Sequence, residues 1–212
     1  MAKHIDHIEW LDNVETLDTD LGKTVVREFL LCSPALEVSA RSEGWISRFG
    51  INDSDDAEIL FNELTRDVRV VKSAGCRYAT STSEVERLLC AEGLMSGEFW
   101  NTASFIVYTV PNDAKTQVNK AVAAATDGNT LLKDKKKALV KDKYLQVDAL
   151  FRHLRNAIAH GAFQIKEMRP DRRICVFQDA SNSGDLSARL VIKENTLREW
   201  IAAFRRYEQE GV

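Results

Sequence analysis

The stretch FRHLRNAIAHGAF, from Phe151 to Phe163, sets His153, Arg155, Asn156 and His160 among apolar residues. An imidazole near pH 7 gives or takes a proton, and a guanidinium is a fixed cation whose forked donors match a phosphate. A carboxamide beside them can hydrogen-bond the ring or a substrate oxygen. Base or acid plus phosphate clamp is enough to cut RNA without a metal, because the ribose 2′-hydroxyl is an internal nucleophile. DNA lacks that hydroxyl, so such chemistry prefers RNA.

The residues must be held by a helix. At 100° per residue, Val147, Leu150, Phe151, Leu154 and Ile158 fall within about 50° of one line, which is the core face. His153, Asn156 and His160 fall on the opposite side at spacings of three and four, so they are neighbours. Arg155 flanks the core stripe, about 140° round from His160. One helix therefore makes an incomplete pocket. Two such helices about a two-fold axis bring two arginines and two histidines to one cleft, which points to a homodimer. A plainer arrangement uses the same residues: Asn156 bonded to His160 on a solvated face, and Arg155 paired with a carboxylate such as Asp148.

The surrounding pattern is mainly helical. DLGKTVVREFLL, PALEVSARSEGW and DSDDAEILFNELTRD read as three helices, the first with Leu21, Val25 and Phe29 on one face. VRVVK-SAG-CRYAT then alternates around a Gly-containing turn, as a β-hairpin does. Three helices and a hairpin resemble a winged helix loosely, with Arg69, Lys72 and Arg77 on the wing. Its presumed recognition helix is acidic, carrying Asp55, Asp56, Glu58 and Glu63, and would repel DNA. STSEVERLLCAEGL opens a further helix with capping boxes, Ser81 with Glu84 and Ser83 with Glu86. GEFWNTASFIVYTVP is strongly apolar and reads as a buried helix or a strand, with its helical neighbourhood favouring helix. NDAKTQVNKAVAAAT is another helix, and TLLKDKKKALVKDKYLQVDALFRHLRNAIAHG holds one or two more. RRICVFQD and LSARLVIK form a second hairpin, and NTLREWIAAFRRYEQ closes the chain as a helix capped by Thr196 with Glu199. The expected fold is thus mainly α: a helical domain over 81–212 with a β-hairpin after the motif helix, preceded by a small α+β winged-helix-like region over 1–80.

Composition narrows the partners. The net charge of −3 hides a balance of −8 over residues 1–62 and +7 over residues 131–173. A local basic field of that size attracts nucleic acid even on an acidic chain. Lys135, Lys136, Lys137, Arg152, His153, Arg169, Arg172 and Arg173 are the phosphate-contact candidates, with a solvated surface as the bland alternative. No apolar run is long enough to span a membrane, and MAKHIDHIEW has no signal-peptide core, so a cytoplasmic location is expected. Cys32, Cys76, Cys90 and Cys175 form no CxxC pair and read as thiols. His4 and His7 are two ligands where structural zinc wants four. No metal and no cofactor are expected.

Arg155-Asn156-Ala-Ile-Ala-His160 resembles the R-N-x-x-x-H signature of the HEPN superfamily (higher eukaryotes and prokaryotes nucleotide-binding). FRHLRNAIAHGAF followed by a hairpin and the TLREWI helix is similar to a prokaryotic, often plasmid-borne subgroup, over roughly residues 82–212. The resemblance implies an all-helical, dimeric, metal-independent RNase of toxin–antitoxin, abortive-infection or CRISPR-linked systems. Arg155 and His160 would be catalytic, Asn156 supporting, and RNA and an antitoxin or defence protein the partners. HEPN toxins controlled by nucleotidyltransferases often carry tyrosine two residues after the histidine; here that residue is Ala162, so the resemblance does not extend to that control. Some members bind RNA or nucleotides without cutting, which leaves a non-catalytic sensor as an alternative. A winged-helix transcriptional regulator is a further one.

Overall fold

The structure, a computed structural model, describes residues 19–31, 54–66, 68–70, 81–91, 105–109, 143–169, 172–180 and 184–210. Thr19 Oγ1 accepts the Gly22 backbone N–H at 2.9 Å and caps α1 (Asp20–Val26), which widens into a π-helical turn, Arg27–Leu31. Leu21, Val25 and Phe29 point inward from this segment. In α2 (Ser54–Leu64) the residues Ala57, Leu60, Phe61 and Leu64 are buried at helical spacing, while Ile59 faces water. The Ser81 carbonyl accepts from Glu84 and Val85 and starts α3 (Thr82–Ala91), which buries Val85, Leu88 and Leu89. The motif helix α4 (Lys143–Ala159) and the closing helix α5 (Glu194–Glu210) complete the helices of the described residues.

Between the helices lies a five-stranded sheet in the order β1-β2-β5-β4-β3. Its strands are β1 (Arg69–Val70), β2 (Phe105–Tyr108), β3 (Phe163–Arg169), β4 (Arg172–Ala180) and β5 (Leu186–Lys193). The short β1 pairs with β2 in parallel; the other pairings are antiparallel. The cross-strand row Ile106, Leu190, Phe177, Phe163 belongs to the larger core, shared with Val25, Leu60, Leu154 and Trp200 of α1, α2, α4 and α5. The next row, Phe105, Val191 and Val176, packs with Val85, Leu88 and Leu89 of α3. The molecule is therefore three layers deep, with helices on both faces of the sheet.

Trp200 joins the helices on the larger side. Its indole N–H donates to the Leu64 carbonyl at 2.7 Å, and its ring meets the edge of Phe151 at 6.0 Å. Phe151 in turn stacks on Phe29 at 6.4 Å. Outside this apolar contact, Arg205 pairs with Glu28 at 2.5 Å and Arg206 pairs with Glu63.

These strands correct the expectation of a mainly α fold, a helical bundle with a β-hairpin after the motif helix. Phe105–Tyr108, expected as helix, is a strand buried on both faces. Such a strand has no polar alternation, because helices cover both of its sides. Phe163–Arg169 is a further strand, and its pairing with β4 extends the expected hairpin into a meander. Arg69–Val70, in the region expected as a wing hairpin, pairs in parallel with β2 and so joins the central sheet. The remainder of that expected hairpin, with Lys72 and Arg77, lies outside the described residues, as do PALEVSARSEGW, NDAKTQVNKAVAAAT, His4, His7, Cys32 and Cys76. Helix α5 begins at Glu194, directly after β5, so Thr196 is a buried residue of its first turn and not its cap. One apolar core runs across residue 80, joining α1 and α2 to the motif helix.

Candidate active site at the end of the motif helix

The motif helix ends by a defined device. Gly161, at φ 68°, adopts the left-handed conformation that glycine takes without cost. Its N–H donates to the Ile158 carbonyl at 3.0 Å, and the Ala162 N–H donates to the Ala157 carbonyl at 2.7 Å. This pair of bonds is a Schellman cap, which leaves His160 as the final residue before the turn. The Gln178 N–H then donates to the Ala162 carbonyl at 2.9 Å, fixing the exit of the helix to β4. His160 is exposed there, one turn beyond the half-buried Asn156.

Behind Asn156 lies a buried polar network. His153 is 6% exposed, not on the open face that the helical wheel assigns to it. Its Nδ1 lies 2.6 Å from Asp179 Oδ2, and its Nε2 lies 2.8 Å from the Thr109 carbonyl oxygen and 3.2 Å from Thr109 Oγ1. Tyr108 covers the ring at a centroid separation of 6.2 Å. Asn156 Nδ2 donates to the same Asp179 oxygen at 3.3 Å. Three elements thus meet: the end of β2, the motif helix and the last turn of side chains on β4.

Hydrogen counting constrains this network. A carbonyl oxygen only accepts, so His153 Nε2 carries a hydrogen toward Thr109. At Nδ1 the 2.6 Å separation is that of a short hydrogen bond between ring and carboxylate. Both partners are largely enclosed, with side chains 8% and 7% exposed. The ring is pinned at both nitrogens and holds the carboxylate in place.

The other expected residues divide by surroundings. Arg155 is half-buried, and its Nε is enclosed with no hydrogen-bond partner among the described residues. Arg152 is half-buried and Arg172 exposed. Arg173 pairs with Glu194 at 2.7 Å, and Glu194 also pairs with Arg198 at 2.7 Å, so Arg173 is tied to the start of α5. Lys135, Lys136 and Lys137 lie outside the described residues, as do the side chains of Asp148 and Arg169. The structure brings Asn156 and His160 to one end of α4, with Arg155 beside them in sequence and His153 beneath.

Sequence reasoning missed Asp179 and Thr109. A signal for Asp179 exists in RRICVFQD: Cys175 and Phe177 face the motif helix, and residue 179 continues that row at period two. An acidic residue in an inward row needs a partner, and the motif helix supplies it. Cys175, in the same row, is fully buried; burial, and next the charge of Glu194, push its thiol up to about 12. Among the described residues, no three or more His, Cys, Asp or Glu are grouped to hold a metal ion. No described helix is long and apolar enough to cross a membrane.

A family model described as HEPN pEK499 p136 matches residues 85–210, more than half of the chain. The chain belongs to this HEPN family. No curated protein and no solved structure matches it. The HEPN match contains the whole R-N-x-x-x-H helix, β3 to β5 and α5, and with them Thr109 and Asp179.

Proposed function

We propose that this HEPN chain is a metal-independent endoribonuclease, a toxin or anti-phage defence effector, whose working site is completed by a second copy. The observation that supports this most is the placement of His160. It stands exposed at a capped helix end, while Asn156, one turn back, is held by a buried carboxylate. In this reading His160 takes the proton of a ribose 2′-hydroxyl as that oxygen attacks the adjacent phosphorus. The 5′-oxygen leaves on the far side with a proton from an acid, which the second copy's motif helix supplies. Arg155 stabilises the charge that builds on the phosphoryl oxygens. Arg155 is half-buried at this end of α4, and its guanidinium is a fixed cation whose forked donors match a phosphate. The exposed Arg172, the half-buried Arg152 and the lysines at 135–137 are the proposed contacts along the strand. With Arg155 and His160 about 140° apart on one helix, the pocket closes only when two helices face each other.

The test is RNA scission in EDTA with mapped ends. A 2′,3′-cyclic phosphate is expected in wild type, with loss of product in Arg155→Ala and in His160→Ala. Undiminished cutting by those variants, or a strict need for a metal ion, overturns the proposal. Salt-dependent RNA association without product would instead support a HEPN protein that binds RNA and does no chemistry.

A further inference from the structure

The polar network under the motif helix contains a carboxylate that the R-N-x-x-x-H residues leave out. Asp179 Oδ2 is shared by His153 Nδ1 at 2.6 Å and Asn156 Nδ2 at 3.3 Å. Wherever the proton of the His153 bond sits, this oxygen has only lone pairs left to offer Asn156, so toward it the carboxyl group accepts and does not donate. The end of the Asn156 amide that faces it must therefore be the nitrogen, and the amide oxygen is turned the other way. With His153 locked between Asp179 and the Thr109 carbonyl, the carboxylate itself cannot swing aside.

We propose that Asp179 is a positioning residue: it sets the Asn156 amide so that its oxygen, an acceptor, is the group offered beside His160. An acceptor there receives an O–H or N–H donor, the ribose 2′-hydroxyl in the endoribonuclease reading on which this inference rests. A reversed amide would offer N–H instead and compete for the base. Asp179 touches no substrate in this scheme and acts through Asn156.

A reciprocal exchange tests it. Asp179→Asn keeps the volume, but a neutral His153 then draws the new amide nitrogen to the place of Oδ2. Asn156 must turn its own oxygen inward and its nitrogen outward. Turnover on RNA is expected to fall by about tenfold to a hundredfold, the scale of a misplaced catalytic group, with KM within about twofold. Adding Asn156→Asp to that variant puts a carboxylate opposite the amide N–H and restores an outward acceptor. Turnover should recover by about tenfold over the single variant. A purely structural Asp179 predicts equal loss in kcat and bound fraction, or no recovery in the double variant; either result overturns the proposal.

A second measurement needs neither activity nor a variant. In wild type, solvent exchange of the Asn156 side-chain amide should be at least about tenfold slower than that of the exposed Asn62 and Asn195, in line with one retained hydrogen bond. Equal exchange rates overturn the positioning role even where Asp179→Asn fails to fold. Slow exchange in a chain that cuts no RNA retains the positioning role and rejects the nuclease reading.

Discussion

His153 and His160 are the same residue type, seven positions apart on one helix, and only about 20° apart around its axis. Their surroundings are opposite. His153 is 6% exposed and bonded at both nitrogens, whereas His160 stands in water at the helix end. The difference lies along the helix and not around it. The ends of β2 and β4 place Thr109 and Asp179 against the turn that holds His153, whereas His160 stands exposed at the turn that Gly161 closes. Depth along an axis, which a wheel does not represent, decides which histidine is built into the fold and which is left exposed to water.

The sharpest contrast comes from giving both positions the same substitution. His160→Leu should cost scission about a hundredfold or more, the scale of a general base, while the melting temperature stays near wild type. His153→Leu should do the reverse first: it strands the Asp179 carboxylate and costs about 3–5 kcal/mol of stability in denaturant unfolding. Equal melting temperatures for the two would erase the distinction.

A smaller effect is expected at the junction between the regions. Gly161→Ala forces a side chain into a left-handed conformation and should cost about 1 kcal/mol. Because that turn fixes the place of His160, scission should fall further than the loss of folded protein accounts for. Assaying both at a temperature where the variant is fully folded checks this.

The smallest effect belongs to Cys175, in the inward row that also carries Asp179. Unfolded, the thiol loses its proton near its ordinary 9.0; folded, it keeps it to about 12. Its contribution is complete below pH 9 and is lost as pH rises through that window, because the unfolded chain gains the thiolate first. Alkaline unfolding of Cys175→Ala should show a weaker decline over this range. A thiol reagent at neutral pH should modify the exposed Cys90 and leave Cys175 untouched.

Much of the helical layer was legible. The period of Val147, Leu150, Leu154 and Ile158 identifies the core face of α4, and each is buried. RRICVFQD and LSARLVIK, read as the two arms of a hairpin, are β4 and β5. What escaped has physical causes. Phe105–Tyr108 is covered on both sides, so its apolar run looks like a buried helix. Phe163–Arg169 follows the motif helix after only the Gly161 turn and mixes half-buried with exposed residues, so it lacks a clean apolar row. The cap expected at Thr196 failed because β5 passes into α5 without a loop. At the site, residue types and helical spacing marked Asn156 and His160. Thr109 and Asp179 come from strands 44 and 26 residues away from His153, and only the sheet order brings them to it.

That sheet order also sets a schedule during synthesis. Strand β2 emerges early, but its antiparallel neighbour β5 is the last strand made, and β5 is what joins β2 to β4. Until residues 186–193 leave the ribosome, Thr109 and Asp179 belong to two separate pieces of sheet. Until then the sheet supplies no strand between them to hold both against His153. A nascent chain therefore carries its motif helix for some time before it carries the arrangement that supports it.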